Sequence, residues 1–369
     1  MATFSGEYVI PRSSRDEDDA TSAPVVVQMF GQSHVGRTRD HNEDSYIVAN
    51  LSEGEPLRFE RLVEQPADSM ATLFMVADGM GGAAAGEVAS ATAVDVVLRH
   101  LRERLAGRSP LQPQELVREL TRAAEIANWS IFQQAVNRPD LRGMGTTATI
   151  AVLLGDTLYL AQVGDSRAYL VRQGMATQLT KDQSLMQKLI EAGELTEEEA
   201  AQSERRNIIL QALGPEPNVK VDVTEQRLRR DDILVLCSDG LSGLVKADEI
   251  AKVIEEELDL SVACERLISM ANDVGGPDNI TVVAARFEGS GLRVAEAGDE
   301  VRYHAFEASD DPTERTAPAA DPGVITQPWP VRPADDEDRR RRGAIYSRVI
   351  TGIGIGLLLY AAWRLFAAR

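Results

Sequence analysis

The chain has 369 residues, 58 acidic against 39 basic, and a formal net charge of −19. A surface of that sign does not grip nucleic-acid phosphates, so no nucleic-acid partner is expected. A hydrophobic content of 43% supports a sizeable core, and two cysteines, Cys237 and Cys264, cannot make the disulfide framework of a small secreted fold.

In chain order, residues 1–24 read as a disordered lead, polar and acidic around Arg15-Asp16-Glu17-Asp18-Asp19, with no apolar leader core. The body is expected over 25–288. Its β-rich runs are 25–30, 73–77, 147–154, 157–163, 168–172, 233–237 and 280–286. Helical spacing is expected at 84–105 and 113–137, over about 182–212, and between 246 and 273. Turn residues such as Gly155-Asp156 and Gln173-Gly174 separate adjacent strands, and helices come in pairs instead of after every strand. That pattern predicts an α+β fold, antiparallel sheets with helices packed outside. Residues 289–343, rich in Pro, Ala, Asp and Arg, read as a flexible linker.

Five acidic sites sit beside turn or glycine residues: Asn42-Glu43-Asp44, Asp78-Gly79-Met80-Gly81-Gly82, Gly164-Asp165-Ser166, Ser238-Asp239-Gly240 and Gly276-Pro277-Asp278-Asn279. An Asp-Gly turn alone is commonplace. Several carboxylates converging at strand ends are not, because they repel one another unless a cation neutralises them. Hard divalent cations with oxygen ligands answer that need, and glycine lets a backbone carbonyl come close to one.

The ordered set Gly36-x-x-Arg39-x-x-Asn42-Glu43-Asp44, Val76-Ala77-Asp78-Gly79-Met80-Gly81-Gly82, Met144-Gly145-Thr146-Thr147, Val163-Gly164-Asp165-Ser166-Arg167, Cys237-Ser238-Asp239-Gly240-Leu241 and Gly276-Pro277-Asp278-Asn279-Ile280-Thr281 resembles the PPM, or PP2C-type, protein phosphatase family in its bacterial form. The resemblance covers about 26–287. It implies a central antiparallel β-sandwich flanked by helix pairs, with a two-metal centre of Mn²⁺ or Mg²⁺ at one end and a third, weaker ion. It implies that Asp78 bridges two ions, that Gly79 adds its carbonyl, that Asp239 and Asp278 bind the second ion, and that Asp165 with Asp239 matches the third. Asp44, with Glu43 beside it, is implied as a peripheral ligand or a partner of bound water, and Arg39 as the holder of the substrate phosphate. The implied reaction is hydrolysis of phosphoserine and phosphothreonine on proteins, Ser/Thr kinases among them, by an activated water and without a phosphoenzyme. A histidine that some members carry after the Asp-Gly motif is absent; His41, near Arg39, is more simply a loop residue, and His34 replaces an aspartate common in bacterial members. Residues 180–214 resemble the family's flap beside the cleft.

Other readings fit less well. Gly31 to Thr38 approaches a P-loop but has Arg37 where lysine belongs. Neither cysteine has the arginine a thiol phosphatase needs, and no Cys or His pair has zinc-ligand spacing. An inactive scaffold that binds phosphoproteins is disfavoured by the intact Asp78, Asp239, Asp278 and Arg39; a phosphoesterase of small phosphomonoesters is the other alternative. The tail, 344–369, carries an apolar run from Val349 to Trp363 with Arg339 to Arg342 before it. It reads as a transmembrane anchor that keeps the catalytic body in the cytoplasm, tethered to the cell membrane, with Gly352 and Gly356 offering weak dimerisation.

Overall fold

The computed structural model describes residues 24–51, 61–66, 72–81, 85–105 and 111–306. The expected N-terminal lead, most of the expected linker and the apolar tail at 344–369 with Gly352 and Gly356 lie outside the described residues. Among the described residues no helix is long and apolar enough to cross a membrane.

The strands are β1 (Pro24–His34), β2 (Asp44–Asn50), β3 (Arg61–Pro66), β4 (Thr72–Met80), β5 (Gly145–Thr146), β6 (Ala148–Leu154), β7 (Thr157–Val163), β8 (Arg167–Arg172), β9 (Met175–Gln178), β10 (Asp222–Arg227), β11 (Asp232–Cys237) and β12 (Ile280–Glu288). The helices are α1 (Ala85–Leu105), α2 (Pro113–Asn137), α3 (Leu185–Glu191), α4 (Glu197–Ala201), α5 (Asp239–Ser242), α6 (Ala247–Glu256) and α7 (Leu260–Asp273). One sheet runs β3-β1-β12-β11-β8-β9 and the other β10-β7-β6-β4-β2, with β5 added to β4. Every pairing is antiparallel.

The two sheets face each other. Along β4 the period of two sends Phe74 and Val76 into the layer between them, where they meet Leu160, Leu234, Val283 and Phe287. Leu73, Met75 and Ala77 point the other way, beneath α1 and α2. The outer face of the other sheet, with Val235, Cys237, Val282 and Ala284, packs under α6 and α7. The inner strands are buried on both faces, so they read as continuous apolar runs. Phe74 and Phe287 meet edge to face, 6.2 Å apart at 85°, both fully buried; burying each side chain contributes roughly 1.5–3 kcal/mol.

The helices follow from their own sequences. Pro113 opens α2, where its missing N–H costs no hydrogen bond, and Leu116, Leu120, Ala124, Ala127 and Ile131 line its buried face. Asp259 caps α7 by accepting from Ser261 N at 2.8 Å. The α+β sandwich with outer helix pairs is as expected from the sequence.

Three expectations need correction. The helical region at 182–212 is not one long unit: it contains only α3 and α4, capped by Ser184 and Thr196, and is otherwise turns and isolated bridges. Five strands lie outside the expected runs, β2, β3, β5, β9 and β10. The body also does not end at 288. Leu292 is buried in the inter-sheet core, Asp299 pairs with Arg229 at 2.7 Å, and Ala305 bridges to Thr224. The linker composition misled because a segment can be held by a few buried anchors spaced among polar residues.

Candidate functional site

Antiparallel pairing brings the acidic motifs together. His34, at the end of β1, pairs with Ile280 at the start of β12; Cys237, at the end of β11, pairs with both Val282 and Arg167. Asp44 opens β2 directly opposite Asp78 on β4. The Gly164-Asp165-Ser166 turn joins β7 to β8, Asp239 opens α5 straight after β11, and Asp278 stands two residues before β12. All these points lie at the same end of the two sheets.

Hydroxyls and amides fix the cluster. Ser238 Oγ and Thr281 Oγ1 donate to Asp44 Oδ2 at 2.8 and 2.6 Å, joining the two sheets at this end. Asp78 is held by its backbone: its N–H donates to Thr147 Oγ1 at 2.9 Å, and its carbonyl accepts from Thr147 N and Thr146 Oγ1, each at 2.9 Å. Thr147 Oγ1 also meets Ser166 Oγ at 2.7 Å, which ties the Asp165 turn to Asp78. Gly79 N donates to Glu43 O at 3.2 Å, and a Cβ at Gly79 would collide with Glu43 O and Gly86 O. Glycine is required there by the close approach of three backbones.

Arg39 stands in the loop between β1 and β2. Its Nη2 donates to Asp278 Oδ2 at 2.8 Å, and Asp278 Oδ1 accepts from Asn279 N at 2.8 Å. The loop is clamped by the Asn279 side chain, whose Oδ1 accepts from Glu43 N at 2.8 Å and whose Nδ2 donates to Val35 O and His41 O at 2.9 Å. A Cβ at Gly36 would collide with Asp278 O, and its positive φ of 80° suits glycine alone. His41 is exposed and contributes its carbonyl, not its ring, to this clamp. His34 Nδ1 accepts from Gly36 N at 2.9 Å.

The electrostatics are those of carboxylates out of water. Burial pushes Asp44 up to about 7, and the charges of Asp239 and Asp278 add to it while the Thr281 and Ser238 hydroxyls oppose it. Burial, then Asp239 and Asp182, push Asp165 up to about 7 against Arg167. Asp78 is raised well above the carboxylate range by burial and then by Asp44, Asp239, Asp165 and Asp278. Asp239 is raised by burial and by Asp278, and a hydrogen bond with Asp78 works the other way. Among the described residues, the Arg39 and Arg167 guanidinium groups act on this cluster, and each is already paired, with Asp278 and with Asp182.

Among the described residues no three Asp, Glu, His or Cys side chains are placed, as they stand, to hold a metal ion together. Asp278 is turned toward Arg39, and Asp44 toward its two hydroxyls. The donor set nevertheless fits divalent cations. Asp44 Oδ1 and Asp165 Oδ1 are buried oxygens with no hydrogen-bond partner. Asp44 and Asp165 are buried and Asp78 and Asp239 half-buried, the pKa of each is raised by desolvation, and oxygen is the only donor type they offer. The motifs contain the groups that hold the acids as well as the acids themselves: Ser238, Thr281, Thr147 and Asn279 all lie inside them, but their hydrogen bonds to Asp44, Asp78 and the Glu43 backbone are visible only in the fold.

Comparison with known proteins decides the family. The model of the family described as "Protein phosphatase 2C" matches residues 63–275. The chain belongs to the protein phosphatase 2C family. The phosphatase is 38% identical over 248 residues to the serine/threonine phosphatase stp of Listeria innocua, covering 67% of this chain and 91% of that protein. It is 41% identical over 262 residues to the serine/threonine protein phosphatase PstP of Mycobacterium tuberculosis (strain H37Rv), covering 71% of this chain and 45% of that one. It is similar to the crystal structure of the PstP catalytic domain in complex with two manganese ions, with a TM-score of 0.58, 34% identity, and coverage of 72% of this chain and 99% of that one.

Proposed function

We propose that the carboxylate cluster at the shared end of the sheets is the catalytic centre of this metal-dependent protein serine/threonine phosphatase. Asp78, Asp239, Asp278 and the Gly79 carbonyl are the groups that would hold a pair of Mn²⁺ or Mg²⁺ ions, with Asp165 and Asp239 for a third. The observation that carries this is the pair of unpartnered buried oxygens, Asp44 Oδ1 and Asp165 Oδ1, in a cluster of carboxylates that too few cationic side chains balance. When bound, such ions lower the pKa of water and neutralise the charge that develops in an in-line displacement.

The remaining work falls to the chain. Arg39, half-exposed and clamped by the Asn279-bound loop, presents a planar fork suited to two phosphate oxygens, and must leave Asp278 to use it. Asp44, fixed on one oxygen by Ser238 and Thr281, keeps the other free to accept a proton from a water at the centre. Glu43 lies at the mouth, raised by burial and lowered by Arg39. The two hydroxyls that are hydrogen-bonded to a carboxylate here, Ser238 and Thr281 on Asp44, are fully buried, which supports direct hydrolysis over a phosphoenzyme. Substrates are phosphoproteins; Ser/Thr kinases among them is part of the proposal, as is attachment of the body to the cytoplasmic face of the cell membrane through 344–369.

The test is hydrolysis of a phosphothreonine peptide by the full chain. Activity should vanish with excess chelator and return with Mn²⁺ or Mg²⁺. Full activity in chelator overturns the metal centre.

A further inference from the structure

Residues 180–214 stand on two feet, both rooted in the site. At the first, Gln183 Oε1 accepts from Gly164 N and Gln183 N donates to Gly164 O, each at 2.9 Å, next to Asp165. At the second, Leu213 and Thr146 exchange backbone hydrogen bonds at 2.8 and 3.0 Å, and Thr146 holds the Asp78 carbonyl. Between the feet, α3 is mostly half-buried, with Met186 buried, while residues 191–194 and Glu197 to Glu199 of α4 are exposed. This flap is therefore a wall anchored to the catalytic turns and free at its outer end.

The chain beyond Asp299 reaches the first foot from the side. Glu225 N donates to His304 O at 3.0 Å and Phe306 N to Val223 O at 2.9 Å, so His304 to Phe306 add a short antiparallel strand to the β10 edge. Phe306 seats its ring edge-on to Tyr159, 6.1 Å away. β10 itself grips the foot: Thr224 Oγ1 donates to Leu179 O at 3.2 Å, and Gln183 Nε2 donates to Asp222 Oδ2 at 2.8 Å. Tyr303, just before the added strand, lies against Lys181, whose Nζ is 5.0 Å from the ring centroid. The same Nζ pairs with Glu191 Oε1 at 3.1 Å, the last residue of α3.

We propose that Tyr303 is a positioning residue of the flap: its ring holds Lys181, and through it Glu191 and α3, at the angle that admits a phosphoprotein chain to the catalytic centre. This rests on the phosphatase reading above. A cation over an aromatic face is held by the ring's charge distribution and needs no hydroxyl. Lys181 and Tyr303 are both part-exposed, so removing the ring leaves no buried cavity and releases the flap without unfolding the body. A small aryl phosphate reaches the carboxylates without lying along the flap, whereas a peptide on both sides of its phosphothreonine must pass it.

The full chain is compared with Tyr303→Ala and Tyr303→Phe at saturating Mn²⁺, on a phosphothreonine peptide and on p-nitrophenyl phosphate, with melting followed in parallel. Tyr303→Ala is expected to raise KM for the peptide roughly three- to tenfold, from loss of one cation–ring contact. Its kinetics on p-nitrophenyl phosphate should stay at the parent value, and Tyr303→Phe should match the parent on both. A parent-like peptide KM for Tyr303→Ala overturns the proposal. So does an equal loss on both substrates with a lowered Tm, or a Phe variant as poor as Ala. A parent chain inert on both substrates with Mn²⁺ present instead defeats the phosphatase centre on which the proposal depends.

Discussion

At the scale of single residues, the site is a balance between buried negative charge and what neutralises it. Replacing Asp78 or Asp239 by Asn keeps the shape and removes one charge from that balance; each variant should lose several orders of magnitude in kcat, measured at saturating Mn²⁺. A loss below about tenfold would remove that residue from the metal centre. Arg39 competes with cations for Asp278, so Arg39→Ala should lower kcat/KM by roughly 10–100-fold through lost phosphate contacts while Mn²⁺ affinity, read by calorimetry, does not fall. Weaker Mn²⁺ binding in that variant would make Arg39 a structural support of the centre. Proton linkage gives a further outcome. Asp44 and Asp165 are pushed up to about 7, whereas a free aspartate titrates near ~4. A carboxyl whose folded pKa is raised favours folding fully below the unfolded value, and that contribution is lost as pH rises through the folded one. Chelator-treated protein should thus lose stability between roughly pH 4 and 8, and Mn²⁺ should raise Tm more at the upper end than at the lower. An equal Mn²⁺ shift across that window would show that these carboxyls are not part of the ion's site.

At the scale of elements, a buried ion pair braces the sheet at β8 and β11. Arg172 Nε and Nη2 donate to Asp232 at 2.8 and 2.6 Å, and both side chains are buried. Arg172 also donates to Asp299 O and Arg227 O, and Asp232 accepts from Arg229 N. Arg172→Ala leaves a buried carboxylate without its partner and should cost about 3–5 kcal/mol in urea unfolding. A cost under about 1 kcal/mol would mean that water or Arg229 replaces it. Nothing in the sequence announced this pair, since the two residues lie 60 positions apart and each looks like a surface charge. The seven strands expected from apolar runs are all interior strands of the two sheets; of the five others, β2, β3, β9 and β10 are the four edges and β5 is a two-residue strand beside β4. A strand at the edge of its sheet need not be apolar along its length, and Met175–Gln178 and Asp222–Arg227 show no apolar run. The site was legible in a different way. Its acids stand in short motifs readable one at a time, while the side chains that position them act across the gap between sheets, as Thr281 does on Asp44 from 237 residues away.

At the scale of the whole molecule, the question is where the catalytic unit ends and what the rest of the chain does. Composition placed the end at 288, yet Leu292 is buried in the inter-sheet core, Arg229 holds Asp299 with two bonds of 2.8 and 2.7 Å, and the strand at 304–306 covers the β10 edge. A chain ending at Glu288 exposes that core position and leaves Arg229 without its carboxylate; a chain ending at Ala308 loses none of these contacts. The shorter chain should therefore unfold at a lower temperature than the longer one, and only the longer should match the full chain in kcat on a diffusible phosphopeptide. The proposed anchor predicts a second difference between the same molecules. The apolar run from Val349 to Trp363 follows four consecutive arginines, Arg339 to Arg342, the charge order that retains the preceding body on the cytoplasmic side. The proposed linker from 307 to 343 would reach roughly 30 Å as a coil, enough for the centre to meet substrates away from the bilayer. After lysis the full chain should sediment with membranes, resist extraction by high salt and be released by detergent, while the chain ending at Ala308 stays in the supernatant. Protease added to inverted vesicles should then digest the body. Release of the full chain by salt alone would make 344–369 a surface-bound helix, and protection of the body in inverted vesicles would reverse the orientation.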